Sequence, residues 1–196
     1  MIYFLAYILC WLPLKIFLPI KIIGKKNLLK GKAILCCNHH SNWDFAPIYY
    51  IAKSKLYVLC KDSLFKNKFF AFILTRLRGI AINREKPEIS SIKKCLTVLN
   101  NNNNLLIFPE GTRTKEEEMS SAKGGVGMFC LKTNAPIIPM MYEKKNKIFR
   151  RNRLIIGEPI YFNLEYSKEN IQVVTERLEL EMNNLKKTLE ESKKWF

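Results

Sequence analysis

"KAILCCNHHSNWD", residues 32–44, decides how this chain is read. Its first half is a short apolar run, Ala33 to Cys37, with no polar alternation, the pattern of a buried strand. Cys36 and Cys37 would then point to opposite faces of a sheet. Its second half, Asn38 to Asp44, is polar and holds both of the 2 histidines in the chain, His39 and His40. In open α/β sheets, ligands gather outside the carboxyl ends of the strands. The polar heptad therefore stands where a site would be built.

His39 and Asp44 are five residues apart. On a continuous helix their side chains would diverge by about 140° at ~3.6 residues per turn. They meet only if the residues between them turn, which Ser41 and Asn42 support by bonding nearby backbone. Asp44 would then accept from Nδ1–H of His39, fix the tautomer, and leave Nε2 free to take a proton. Other readings stand beside this one. Asp44 can simply favour the start of a helix while His39 closes a turn. A metal site is weaker, because the chain has no third histidine. A Ser41 nucleophile lacks the G-x-S-x-G elbow. A Cys–His route through Cys36 or Cys37 is disfavoured because thiols in a buried strand are inert.

Working outward, helical and extended patterns alternate. A short strand ends at Gly24. Residues 45–53 read as a helix with Pro47 in its first turn, and residues 55–60 as a strand. Residues 64–77 read as one helix with an aromatic face of Phe65, Phe69, Phe70 and Phe72. Residues 79–83 form a strand. Glu88 to Leu99 form a helix with Ile89, Ile92, Leu96 and Leu99 on one side. The asparagine run from Asn100 to Asn104 reads as a helix stop and loop. Residues 105–109 form a buried strand, Gly124 to Lys132 a helix, and residues 136–142 an extended segment. Residues 153–162 give one or two short strands. After Ser167, Ile171, Val174, Leu178, Met182, Leu185 and Leu189 recur at helical spacing, which predicts an amphipathic helix packed on the body. The whole is one α/β domain, a mixed central sheet flanked by helices, preceded by an N-terminal membrane-associated apolar helix. The division falls at residues 1–20 and 21–196.

Two further polar clusters follow strands. "FPEGTRT", Phe108 to Thr114, delivers Glu110, Gly111, Thr112 and Arg113 to a strand end, where Arg113 suits bidentate contact with phosphate. Arg84 ends the strand 79–83. Lys123 precedes a helix whose amino terminus attracts anions. Each signal alone also fits a structural turn or a surface ion pair.

Residues 1–20 are apolar apart from Lys15 and contain Pro13 and Pro19. They lack the basic start and the cleavage site of a signal peptide, and fall short of the about 20 unbroken apolar residues of a spanning helix. They read as a monotopic helix in one leaflet, with Lys15, Lys21, Lys25 and Lys26 at the headgroups. A buried core helix is the competing reading. The 33 Lys+Arg exceed the 17 Asp+Glu, for a formal charge of +16, and such a field draws nucleic acid, anionic lipid or phosphorylated small molecules. A nucleic-acid binder would interleave aromatics with cations; only residues 144–153, "KKNKIFRRNR", offer a basic loop. The 6 cysteines form no C-x-x-C pair and read as reduced thiols.

In order, these blocks resemble the glycerophospholipid acyltransferase family, and within it the 1-acyl-glycerol-3-phosphate acyltransferases. N-H-x-x-x-x-D is matched by Asn38, His39 and Asp44. A glycine, apolar residues and an arginine are matched by Gly79 to Arg84. F-P-E-G-T-R is matched by Phe108 to Arg113, and an apolar stretch with proline by Ile137, Ile138 and Pro139. The resemblance covers about residues 20 to 160. Ala81 and Asn83 depart from it, standing where an aromatic residue and an aspartate are frequent. The resemblance implies that His39 is catalytic with Asp44, and that Arg84, Glu110 and Arg113 bind the acceptor, with Gly111 and Thr112 of the same block beside them; Lys123 joins them as a candidate on its place before a helix. It implies acyl transfer from acyl-CoA or acyl-ACP, as co-substrate and with no cofactor, to the free hydroxyl of 1-acyl-glycerol-3-phosphate, giving phosphatidic acid. Partners would be the phospholipid membrane surface, the lysophospholipid and the thioester donor, with no nucleic acid, at the cytoplasmic face of the cell membrane. Glycerol 3-phosphate or another lysolipid is the alternative acceptor.

Overall fold

A computed structural model describes residues 19–41, 43–83, 86–109, 125–143 and 152–192. Seven strands, β1 (Ile20–Ile23), β2 (Ala33–Cys37), β3 (Leu56–Lys61), β4 (Gly79–Ile82), β5 (Asn104–Ile107), β6 (Ile137–Tyr142) and β7 (Asn152–Ile156), form one sheet. Their order is β1-β7-β6-β2-β5-β3-β4. Strands β6, β2, β5, β3 and β4 run parallel, β7 is antiparallel to β6, and β1 is parallel to β7. The sheet is mixed, as the sequence predicts.

The helices are α1 (Phe45–Ile51), α2 (Lys68–Arg76), α3 (Ile89–Asn100), α4 (Gly125–Thr133) and α5 (Lys168–Glu191). Helices α3, α4 and α5 cover one face, meeting Ile34 and Cys36. Helix α1 covers the other, where Ile48 and Ile51 meet Leu35 and Cys37. Both faces of β2 are covered, so all 5 of its residues are buried and its sequence shows no alternation. Gly127 is required where α4 crosses α5: a Cβ there would lie 2.7 Å from the Ile171 carbonyl oxygen.

Local chemistry sets the remaining boundaries. The helix expected over residues 64–77 is two pieces, a 3-10 turn at Asp62–Phe65 and then α2. Asn67 divides them, its Oδ1 accepting from the amides of Phe69 and Phe70 at 3.0 and 3.3 Å. Such a cap satisfies the amides that begin a helix and so starts a new one. The aromatic face of α2 is not packed: Phe69, Phe70 and Phe72 are exposed. In α3 the buried stripe is Ser91, Cys95, Val98 and Leu99, while Ile89 faces solvent. The asparagine run does not end in loop, because Asn104 opens β5 and pairs with Ala33 and Leu56. Ile20, assigned above to the apolar helix, opens β1 opposite Asn152. The rest of that expected helix, residues 1–18, lies outside the described residues, as does 144–151 of the basic loop. Among the described residues, no helix is long and apolar enough to cross a membrane.

Candidate functional site

Where β2 leaves the sheet, Asn38 continues its pairing with a side chain. Its Oδ1 accepts from the Tyr142 amide at 2.7 Å and its Nδ2 donates to the Tyr142 carbonyl at 3.0 Å. This anchors the chain to the end of β6 before it turns. The turn closes when the Asp44 amide donates to the Ser41 carbonyl at 3.1 Å and the Trp43 amide to Ser41 Oγ at 3.4 Å. Ser41 thus supports the turn that a His39–Asp44 pair requires, while Asn42 lies outside the described residues.

The Asp44 side chain folds back into this turn. Its Oδ2 accepts from the backbone amides of His40 and Ser41, at 2.7 and 2.6 Å, and lies 3.1 Å from His39 Nδ1. Asp44 is fully buried. Burying a carboxylate is costly without donors, and these amides and the imidazole supply them. Although Asp44 is the residue before α1, its side chain makes no capping bond to that helix. The reading of Asp44 as a helix-starting residue alone does not describe this geometry. The Tyr142 hydroxyl donates to the Asp44 carbonyl at 2.8 Å and fastens the turn from the β6 side.

His39 Nδ1 faces the carboxylate, and no described group bonds its Nε2. The imidazole stacks on Phe108, ring centroids 4.2 Å apart and planes inclined 27°. Phe108 begins F-P-E-G-T-R, so this stack brings the first and third sequence blocks together. The His40 ring is engaged elsewhere, its Nε2 lying 2.8 Å from Asn38 Nδ2. Since that amide nitrogen donates, the His40 nitrogen accepts. Asn83 has a structural explanation: its Nδ2 donates to Asp62 Oδ2 at 3.2 Å. An aspartate there would put two carboxylates in contact.

Of the residues singled out in the sequence, His39 and Asp44 come together. Arg84, Glu110, Gly111, Thr112, Arg113 and Lys123 lie outside the described residues. Strands β4 and β5, which lead to Arg84 and Glu110, end on the sheet edge where β2 releases His39, because all three run parallel. Burial pushes the Cys36 thiol far above its usual range, with Cys130 adding to the effect. Its chain neighbour Cys37 is equally buried on the opposite face. Neither is arranged as a nucleophile. Among the described residues, no group of three or more His, Cys, Asp or Glu could hold a metal. Two contacts in the site had no signal in the sequence. Tyr142 lies 98 residues from Asp44, and Phe108, though it begins a sequence block, stacks on His39 only because β5 lies beside β2.

A family profile described as acyltransferase matches residues 19–143. The chain belongs to the acyltransferase family. The matched span contains the His39–Asp44 turn, Phe108 and Tyr142, so the geometry above is that of the acyltransferase core. The chain is 29% identical to the 1-acyl-sn-glycerol-3-phosphate acyltransferase of Bacillus subtilis, over 94% of this chain and 99% of that one. It is 29% identical to the enzyme of the same name from Streptococcus pneumoniae, over 83% of this chain and 62% of that one. The crystal structure of the 1-acyl-sn-glycerophosphate (LPA) acyltransferase of Thermotoga maritima superposes with a TM-score of 0.67 at 22% identity, covering 90% of this chain and 73% of that one. That likeness establishes the shared acyltransferase fold.

Proposed function

We propose that this acyltransferase moves a fatty acyl group from an acyl thioester, acyl-CoA or acyl-ACP, to the free hydroxyl of 1-acyl-glycerol-3-phosphate, giving phosphatidic acid. The observation that carries the mechanism is the His39 Nδ1 to Asp44 Oδ2 contact of 3.1 Å, with Nε2 bonded by no described group. The names of the relatives support the acceptor.

His39 Nε2 takes the hydroxyl proton as the acceptor oxygen attacks the thioester carbonyl. The new C–O bond forms, the C–S bond breaks, and the leaving thiolate receives the proton back from the imidazolium. A thiol with a pKa near ~8.5 is a good leaving group, so one base suffices and no acyl-enzyme is needed. Asp44 holds the Nδ1–H tautomer and stabilises the imidazolium. Arg84 and Arg113 grip the phosphate of the acceptor, with Glu110, Gly111, Thr112 and Lys123 around it. The lipid acceptor and two-chain product call for a site at a phospholipid surface, and a soluble acyl-CoA or acyl-ACP donor calls for the cytoplasmic face of the cell membrane. Residues 1–18 and the positive field hold the chain there.

The test is release of free thiol from acyl-CoA with lysophosphatidic acid as acceptor, comparing the parent chain with His39→Ala. Loss of a general base lowers the rate by about 10²–10⁴. A His39→Ala protein that turns over at the parental rate refutes the mechanism. A parent chain that acylates only glycerol 3-phosphate refutes the acceptor.

A further inference from the structure

Helix α2 buries none of its residues, yet it reads KFFAFILTR. Phe69, Phe70 and Phe72 are 68%, 53% and 60% exposed. Phe69 and Phe70 meet edge to face at 5.9 Å, and the Arg76 guanidinium lies 5.1 Å from the Phe72 ring. Leu64, in the 3-10 turn before the helix, adds exposed apolar surface. A contiguous aromatic patch of this kind on a folded chain marks a contact surface. Its rim is basic, with Lys61, Lys66, Lys68 and Arg76 all exposed. The carboxylate nearest in sequence, Asp62, is turned to the Ser63 amide and Asn83.

The patch also has a direction. Strands β2, β5 and β3 are parallel, so the chain leaves β3 toward α2 at the same sheet edge where β2 releases His39. Trp43, beside Asp44, is a further large exposed apolar residue at that edge. The far end of α2 is tied to α1 by Arg78, whose Nη1 donates to the Tyr49 hydroxyl at 2.8 Å. The aromatic helix therefore starts on the sheet edge that carries the catalytic turn.

We infer that α2 is a membrane-contact element, separate from residues 1–18, that sets Phe69, Phe70 and Phe72 among the acyl chains of an anionic bilayer with its lysines at the headgroups. This deepens the proposed function and rests on its lipid acceptor: it assigns the surface by which the site faces its substrate. Charge selects the occupant. Two copies meeting through this patch would oppose basic rims on chains that each carry +16. Residues 1–18 contain one lysine and no carboxylate, and so offer nothing to those cations. An anionic bilayer satisfies both the rings and the rim.

The experiment uses the full chain and vesicles of phosphatidylcholine with and without phosphatidylglycerol. Phe70→Trp is made to report depth, and its emission is compared with that of the parent. On vesicle binding the added fluorescence shifts to the blue and is quenched by brominated acyl chains. The triple variant Phe69→Ser, Phe70→Ser, Phe72→Ser keeps its denaturation midpoint and binds vesicles at least about tenfold more weakly. It still acylates a short-chain lysophosphatidate dissolved as monomers, and loses turnover only on vesicle-embedded acceptor. Lys66→Gln and Lys68→Gln each weaken binding roughly fivefold on phosphatidylglycerol vesicles and not on neutral ones. Bound vesicles that leave the added tryptophan unquenched overturn the inference. So does a lipid-free dimer that the triple variant dissolves without change in vesicle affinity, which would make a second copy the occupant. Emission already blue-shifted in the lipid-free monomer assigns the patch to another segment of the chain and overturns it as well. A parent chain that releases no thiol with any acceptor defeats the proposed function, while the quenching result still decides the surface.

Discussion

Asp44 is a fully buried carboxylate, and Phe69 in α2 is an aromatic ring left largely in solvent. Each sits where its chemistry is least at home, and they are so placed for opposite reasons. Asp44 is held inside by the His40 and Ser41 amides, the His39 ring and the Tyr142 hydroxyl that donates to its carbonyl. Its position is over-determined, and what it gains is a fixed imidazole. Phe69 is held outside because α2 packs no residue into the core. A scattered exposed apolar residue carries little information, whereas a buried charge or a contiguous apolar patch points to function. Helix α5 supplies the contrast: it is mostly polar, yet Val174, Leu178, Met182 and Leu189 are buried in one stripe. The number of apolar residues in a helix does not say whether the helix belongs to the core.

Substitutions can break or sharpen this contrast. The largest effect is expected at the buried carboxylate. Asp44→Asn keeps an oxygen for the backbone amides but loses control of the tautomer, and thiol release falls by about 10²–10⁴. Next is the core stripe of α5. Leu178→Ala lowers unfolding free energy by about 2–5 kcal/mol in denaturant titration. Tyr142→Phe removes the hydroxyl that fastens the turn and costs about 0.5–1.5 kcal/mol by the same titration. The smallest effect is at the exposed helix: Phe70→Ala changes stability by no more than about 0.5 kcal/mol. Were Phe70→Ala as destabilising as Leu178→Ala, α2 would be part of the core and the contrast would vanish.

The strands through the centre of the sheet were legible because burial on both faces removes alternation, as in β2. The long helix α5 was legible because its stripe keeps a strict period beside Glu and Lys. Ser167, which accepts from the Asn170 amide at 3.0 Å, marked where it starts. The His39–Asp44 pair could be derived from the residues as a pair that needs a turn. Which backbone groups make that turn, and that Tyr142 braces it, could not. Those contacts depend on β6 lying beside β2, and sheet order is set by long-range packing with no local trace. The exposure of α2 and of Ile89 is not legible in the sequence for a related reason: periodicity reveals that a helix has an apolar side, and only its neighbours decide whether that side is covered.

The central claim is that His39 and Asp44 act as one unit, and a double-mutant cycle on thiol release tests it most directly. Residues that act as a unit have effects that do not multiply. The account predicts that His39→Ala with Asp44→Asn is no slower than His39→Ala alone. Independent effects that multiply in the double variant, or an Asp44→Asn enzyme that turns over at the parental rate, would contradict it.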